Sequence, residues 1–403
     1  KTNMKHYIIL TSGLFNMGGA EMFTSNKCRY LSSIGWRVKV FYFRAGNKIM
    51  IDGLAEFRQN RIPELIYGIT YVNKAKRKEI LDKICMGIKH GDQVVVESHI
   101  MNLAYWGELI AKRTGAKNIL NSMEENINQL TKKEAAFVEY KMKRWEILNA
   151  SVKSFHRYFN NLYKEEYANY VHKYMRAYCS NVVDENTSFQ DDVRKADFNI
   201  MSVGRLDKPY VHYMLQEVLS LVCEKTQYQF NFLIIGGSPD GSVEEEIEKM
   251  FSSLQNVKVY LYGYMFPIPL NLLNKADVSI ATANSILVTS NLGIPTIAID
   301  IHDNYPMGIY GKSTTNLFSR DEEPIQQISY LLKQVLIDEV YKKEQPLEID
   351  TSSELEAVFS KQVDFLELSS DDHKAYDVES MYPWYKYIYD QTKKYIHQVM
   401  GNE

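Results

Sequence analysis

The stretch Asn199-Ile-Met-Ser-Val-Gly-Arg-Leu-Asp-Lys208 decides the fold. An apolar, β-branched run stops at Gly204, and two cations, Arg205 and Lys208, follow at once. From Tyr210 to Cys223 the apolar residues Met214, Leu215, Val218, Leu219, Leu221 and Val222 recur at helical spacing. A strand, a short basic turn and a helix in that order build an open α/β sheet, whose ligands sit in the crevice at the carboxyl ends of the strands. Two cations there attract an anion, and phosphate is the commonest small one. A second glycine-rich turn, Thr11-Ser-Gly-Leu-Phe-Asn-Met-Gly-Gly-Ala-Glu21, opens the chain. Two phosphate-seeking turns, each heading its own α/β half, point to a diphosphate ligand held between two lobes.

The alternation runs on both sides of this stretch. Upstream, patterning predicts strands at Tyr7–Leu10, Val38–Phe43, Gln93–Glu97, Asn118–Leu120 and Ser151–Phe155. Helices are expected at Ala20–Ile34, Ala75–Met86, Leu103–Arg113, Glu134–Asn149 and Asn161–Val171. The polar, turn-rich stretch Cys179–Asp192 reads as a linker. Beyond it come strands Asn199–Val203, Phe230–Ile235, Val257–Tyr262, Val278–Ala283 and Thr296–Ile299. Helices Tyr210–Cys223, Val243–Leu254, Pro269–Asn274 and Ser285–Leu292 lie among and between them. An acidic loop, Ser369–Ser380, and an aromatic helix, Trp384–Met400, complete the reading. Short turns between alternating elements predict an α/β protein with two Rossmann-like, doubly wound parallel sheets. A chain of 403 residues is also too long for one ordinary core.

Bulk composition narrows the function. A net charge of −3 offers no global basic footprint for nucleic acid. The 29 tyrosines read as core and rim filling, with sugar stacking or lipid contact as the sharper alternative. Cys28, Cys85, Cys179 and Cys223 are scattered without metal spacing and read as buried thiols of a reducing compartment. The first residues run straight into a strand, so no signal peptide is visible. No apolar run reaches the ~18–20 residues that span a bilayer. The expectation is a cytoplasmic protein, with contact to the inner face of the cell membrane as an addition.

Several motifs carry candidate chemistry, each with a plainer alternative. Gly18-Gly19-Ala20 lacks the lysine and hydroxyl of a P-loop, so ATP or GTP hydrolysis of that type is not expected. What remains is a backbone that can approach an anion at a helix start, or equally an ordinary tight turn. Gly236-Gly237 follows a buried strand and reads as a flexible loop whose position favours a ligand. Asn284 and Ser285 are good cap residues, and free amides at Ser285 and Ile286 could meet phosphate. A structural cap fits them as well. His99 ends the strand around Val94–Glu97, Glu124 ends the next, and His156 and His302 lie in or beside strands. A lone histidine is more often structural than catalytic; His99 is preferred for its place at a strand's carboxyl end. The absence of HExxH, cysteine clusters, Asp-x-Asp and GxSxG argues against metal and nucleophile-elbow hydrolases and for no metal centre.

Together these pieces resemble the GT-B glycosyltransferases, specifically the family 4 type that uses sugar nucleotides, over most of the chain. Gly18-Gly19-Ala20-Glu21 resembles that family's GGAE turn, and Ser202-Val-Gly-Arg-Leu206 its VGRL strand end. Ser180-Asn-Val-Val-Asp184 is similar to its interdomain crossover. Phe232-Leu-Ile-Ile-Gly-Gly237, Val257–Gly263, Ala276-Asp-Val278 and Gly293-Ile-Pro-Thr-Ile-Ala298 follow its second domain in order. Tyr382-Pro-Trp-Tyr-Lys-Tyr-Ile-Tyr389 resembles the last helix, which in that fold returns to the first domain.

The resemblance implies a first domain over 1–182 with 381–403 and a second over 183–380. It implies transfer of a sugar from a nucleotide-diphosphate donor to a glycan or lipid-linked acceptor, in cell-surface polysaccharide assembly, with retained configuration. Neither cofactor nor metal is implied. Arg205 and Lys208 would neutralise the leaving diphosphate, and Gly18, Gly19, Gly204, Gly236, Gly237, Ser285 and Ile286 would line the donor. His99 and Glu124 would complete the catalytic set. Two departures stand out. Lys208 comes early and precedes Pro209, and the second of the family's paired glutamates would fall near Val288. A non-catalytic binding or partner subunit and a sugar-nucleotide epimerase therefore stay open.

Overall fold

A strand of consecutive aliphatic residues is buried on both sides in a parallel sheet covered by helices on each face. Both halves of the chain solve the burial problem this way. The computed structural model describes residues 3–15, 18–123, 130–148, 152–171, 181–186, 189–190, 193–343, 345–347, 355–369, 371–372, 374–381, 385, 388–389 and 392, apart from the side chains of 153, 154 and 355–357. They fall into two units, Lys1–Tyr178 with Ser352–Glu403, and Cys179–Thr351.

In the first unit β1 (Lys5–Thr11), β2 (Arg37–Tyr42), β3 (Gln93–Ser98) and β4 (Lys117–Leu120) form a parallel sheet in the order β2-β1-β3-β4. Side-chain alternation sends Ile8, Leu10, Val94 and Val96 to one face. There α2 (Lys74–Ile84) and α3 (Met101–Thr114) cover them with Ile80, Ile84, Leu103 and Trp106. Tyr7 and Glu97 take the opposite face and meet Lys27 of α1 (Gly19–Ser33). The sheet is thus doubly wound. Gly115 ends α3 in the left-handed region at φ 73°, its N–H bonded to the Ala111 carbonyl. A reciprocal capping box of Thr131 and Glu134 starts α4 (Lys132–Lys143).

Two expectations fail here. Ser151–Phe155, read as a strand, gives way to α5 (Val152–Phe159), because Phe155, Tyr158 and Phe159 recur at helical spacing and all three are buried. Asn161–Val171, read as a helix, forms tight 3-10 turns at Asn160–Leu162 and Glu165–Tyr170. Tyr167 packs on Phe159 with 4.4 Å between ring centroids, so aromatic contact overrides helix propensity.

The second unit opens with a two-residue ribbon, β5 (Val183–Asp184) beside β9 (Ile268–Pro269). Its main sheet comprises β6 (Phe198–Val203), β7 (Phe230–Ile235), β8 (Val257–Leu261), β10 (Val278–Thr282), β11 (Thr296–Ile299) and β12 (Pro306–Ile309). The order β12-β11-β10-β6-β7-β8 puts the first strand centrally and fans the rest outward, a Rossmann arrangement. Only β12 runs antiparallel. Helices α6 (Tyr210–Glu224), α7 (Ser242–Phe251), α8 (Leu270–Leu273), α9 (Ser285–Ser290) and α10 (Ile328–Leu336) accompany the strands.

Neither β12 nor α10 is anticipated above. Pro306 and Gly308 dilute the strand signal of the first. Ile328, Leu331, Leu332, Val335 and Leu336 do carry a helical stripe for the second. Cys28 and Cys85 are buried, but Cys223 is exposed, because α6 turns Met214, Leu215, Val218, Leu221 and Val222 inward instead. Cys179 lies outside the described residues.

The chain rejoins the first unit earlier than the expected boundary at 381. In α11 (Leu355–Phe365), Phe359 packs on Phe23 of α1 at 5.6 Å between centroids. Val378 and Met381 then enter the first unit's core, and the Tyr376 N–H donates to Glu108 at 2.8 Å. Most of the terminal helix expected over Trp384–Met400 lies outside the described residues. Among those described, no helix is long and apolar enough to cross a membrane.

Candidate functional site

Where successive crossovers leave a central strand in opposite directions, helices diverge and a crevice opens at the carboxyl ends of the strands. In the first unit that point lies between β1 and β3, and in the second between β6 and β10. Each holds part of the predicted set.

In the second unit the turns after β6 and β7 are laced together. The Gly204 N–H donates to the Ile235 carbonyl and the Leu206 N–H to the Gly237 carbonyl, both at 3.0 Å. Gly236 has φ 149°, and a Cβ on it would stand 1.7 Å from the Gly204 carbonyl oxygen, so only glycine fits. Gly204, at φ 153°, faces the Tyr210 hydroxyl, and the Ser285 hydroxyl lies 4.0 Å from where its Cβ would be. Ser285 thus stands across the switch point from Gly204. Gly237 lies under the Tyr264 ring. Next to it the Ser238 N–H donates to Glu244 at 2.8 Å, and the Ser238 hydroxyl bonds the same carboxylate.

Arg205 leaves this bare backbone with 36% of its side chain exposed. Its fork closes on Asp207: Nε donates to Oδ1 at 2.8 Å, and Nη2 bonds Oδ2. Hydrogen bonding to Arg205 holds the Asp207 carboxyl below the usual carboxylate range. Lys208 is half-buried, and its carbonyl accepts the Val211 N–H at 3.0 Å as α6 begins.

The α9 end differs from its expectation. Asn284 has helical backbone angles, φ −66° and ψ −17°, and makes no side-chain cap bond, since capping needs an extended residue. The Ile286 N–H is taken by the Ala283 carbonyl at 3.2 Å, and the Ile286 side chain is buried. Ala283 itself is left-handed at φ 51°, a strain of about 1–3 kcal/mol for a residue with a Cβ. Val288, where the resemblance places a glutamate, packs with Met201, Val203 and Leu233 in the core.

At the first unit's switch point, Gly18 and Gly19 start α1, the Gly18 carbonyl accepting the Met22 N–H at 3.0 Å. His99 follows β3 and is fully buried. Its Nδ1 lies 3.2 Å from the Thr11 hydroxyl at the end of β1, and its Nε2 3.2 Å from Glu97 Oε1. One tautomer satisfies both contacts: Nε2–H donates to the carboxylate and Nδ1 accepts from Thr11. Glu97 Oε1 also accepts from Asn121 at 2.8 Å, while Oε2 accepts from Tyr7 at 2.5 Å and from Lys27. Lys27 donates further to Gln362 of α11 at 2.8 Å. Burial by itself would raise the Glu97 carboxyl, but the Lys27 charge and the His99 and Asn121 bonds outweigh it and hold it well below the usual range.

The structure therefore gathers Gly204, Arg205, Lys208, Gly236, Gly237 and Ser285 at one switch point, and His99 and the Gly18–Gly19 turn at the other. Glu124 lies outside the described residues. His156 sits exposed in α5, stacked on Tyr163. Lys27, Glu97, Gln362 and Asp207 are not among the candidate site residues of the sequence reading. Two signals were available. Lys27 interrupts the i, i+4 stripe of Phe23 and Leu31 on α1, and Glu97 ends an otherwise apolar run. A charge on a core-facing position requires a partner.

No protein-family model and no curated protein matches the sequence. Solved structures do resemble it. The trehalose-6-phosphate phosphatase N-terminal domain of Candida albicans is 12% identical over 92% of this chain and 98% of that one, with a TM-score of 0.53. An S. aureus MnaA–UDP co-structure is 12% identical over 90% of this chain and 96% of its own, at a TM-score of 0.48. The apo form of the lipopolysaccharide outer core galactosyltransferase WaaB is 15% identical over 96% and 100%, at 0.47. At 12% identity the first of these shows a shared fold alone: this chain has two Rossmann-like domains, the GT-B class of fold.

Proposed function

We propose that this protein is a glycosyltransferase that binds a nucleotide-diphosphate sugar at the second unit and passes the sugar to a hydroxyl of a glycan or lipid-linked acceptor, in cell-surface polysaccharide assembly. One observation carries the reading: side-chain-free backbone at Gly204 and Gly236 lies beside the Arg205 fork at the carboxyl end of a parallel sheet. An arriving diphosphate exchanges places with the Asp207 carboxylate on that fork, and Lys208 supplies a second cation. As the sugar–phosphate bond breaks, charge grows on the leaving diphosphate, and fixed cations stabilise it. In this reading the two side chains carry the compensating charge without a divalent metal. His99, sealed in its cluster, is a positioning residue, and Glu124 is the candidate group for the acceptor hydroxyl.

The test is a thermal-shift screen against UDP-, GDP-, ADP- and dTDP-sugars, followed by turnover with and without EDTA. Stabilisation by one donor that disappears in Arg205→Ala supports the reading. No stabilisation by any donor overturns it. Turnover abolished by EDTA and restored by magnesium or manganese removes the metal-free part.

A second reading is favoured by Val288, whose burial in the core leaves that position without the carboxylate of the resembled family. In it the chain is a non-catalytic nucleotide-sugar-binding partner subunit. Donor binding with neither transfer nor donor hydrolysis distinguishes it.

A further inference from the structure

We propose that Tyr67 and Tyr71, with Ile66 beside them, form a platform that binds a neutral saccharide unit. They stand on the long connection from β2 to α2, in and beside the tight 3-10 turns Pro63–Ile66 and Ile69–Tyr71. The two rings are offset-stacked, 11° from parallel with 5.7 Å between centroids. Ile66 and Tyr67 are 53% and 42% exposed, and Tyr71 is half-buried. Elsewhere in the unit Tyr7, Tyr42, Tyr105, Tyr158 and Tyr167 are buried. Tyrosine fills the core at those positions and leaves it at these.

The platform is fixed from beneath. Leu65, Ile69 and Val72 enter the first unit's core, which turns Ile66, Tyr67 and Tyr71 outward. The Asn102 side-chain amide of α3 donates to the Leu65, Ile66 and Tyr67 carbonyls at 2.9, 3.2 and 3.2 Å. The Trp106 indole N–H donates to the Tyr67 carbonyl at 3.2 Å, and the Tyr71 N–H to the Gly68 carbonyl at 2.9 Å. Asn102 lies in the first turn of α3, just past the carboxyl end of β3, so these bonds hold the turn at the ligand end of the sheet. A surface ordered in advance loses little freedom on binding.

The chemistry of the patch selects its ligand. An aromatic face is electron-rich and attracts partly positive hydrogens, which the C–H face of a pyranose presents. Among the described residues neither phenol hydroxyl has a protein partner, so both can bond sugar hydroxyls. The charged pair flanking the turn, Glu64 and Lys76 at 3.4 Å, is already matched and offers an anionic ligand nothing. A stable protein interface takes about 20–30 residues a side, far more than this patch supplies. A hydrocarbon chain would leave the two hydroxyls without a role. The platform stands on these residues alone; its saccharide is the acceptor glycan only within the transferase reading.

The experiment is a screen of the full chain against an array of neutral oligosaccharides, followed by titration of the tightest binder in solution. Binding is expected without any nucleotide. Tyr67→Ala is expected to lower that affinity about tenfold, and Tyr67→Phe, which keeps the ring, by less than about threefold. The Tyr67 ring reaches solvent, so both melting temperatures should match wild type. In a preparation that turns over, Tyr67→Ala should raise the acceptor KM and leave kcat and the donor thermal shift unchanged. No binding to any neutral glycan, unchanged affinity in Tyr67→Ala, or adsorption to glycan-free phosphatidylcholine vesicles in place of glycan binding overturns the proposal. A donor thermal shift without glycan binding refutes the platform alone, and glycan binding without a donor shift refutes the transferase reading alone.

Discussion

At the first unit's switch point His99, Glu97 and Lys27 are buried and paired across β1, β3, α1 and α11, whereas at the second Arg205 and Lys208 stand partly in solvent on bare backbone. The difference is one of exchangeability. A buried ion pair has already lost its water, so removing one partner strands the other in a medium that cannot solvate it. A half-exposed pair such as Arg205–Asp207 is screened and worth ~0–1 kcal/mol, so an incoming anion can replace the carboxylate at little cost. The same residue types are therefore sealed in the fold at one strand end and stand half-exposed at the other.

The sharpest way to break this comparison is Glu97→Ala. It leaves Lys27 buried without its counter-charge and is expected to destabilise the first unit by about 3–5 kcal/mol in urea unfolding. A loss below about 1 kcal/mol would mean that the cluster is not a structural element. The pH dependence sharpens the point. The folded Glu97 carboxyl is held below its unfolded value of about 4.3. Its contribution is therefore complete above that pH and is lost as pH falls toward the folded value. Below about pH 4 wild-type stability should fall more steeply than that of Glu97→Gln.

Next in size is Gly236→Ala, where a left-handed backbone of about 1–3 kcal/mol strain combines with overlap on the Gly204 carbonyl. Gly241 has φ 78° but no neighbour within 4 Å of a Cβ, so Gly241→Ala isolates the backbone cost. Calorimetry should show the larger drop at Gly236. Equal drops would remove the argument from close approach.

Arg205→Ala tests the open switch point. A charge-assisted contact to phosphate contributes about 1.5–3 kcal/mol, so nucleotide affinity should fall roughly tenfold to more than a hundredfold. The melting temperature should stay within about 1 °C of wild type. Unchanged affinity for every nucleotide that binds wild type rejects the diphosphate role. The smallest expected effect is that of Asp207→Asn. It removes the carboxylate that competes for the guanidinium and should tighten nucleotide binding by up to about fivefold. Weaker binding would make Asp207 an orienting partner of Arg205 rather than a competitor.

Much of the fold was legible from local pattern. Consecutive aliphatic residues at Tyr7–Leu10 and Phe230–Ile235, glycines at their ends and helical stripes after them specify strand, turn and helix, because these depend on backbone sterics and the period of side chains along a short stretch. The glycine and cation cluster at Gly204–Lys208 belongs to the same class, since a turn's residues are its own neighbours. Tertiary structure alone decided strand order, and with it the placement of the two switch points. It also put His99 beside Thr11, Lys27 beside Glu97 and Gln362 in the same cluster, although each partner is remote in sequence. It made Val152–Phe155, part of the stretch read as a strand, the start of a helix, sent Val288 into the core and brought α11 back to the first unit. The physical reason is common to all of these. A side chain's period announces that it will be buried or exposed, but the identity of its partner follows from which strands and helices the chain's topology sets side by side.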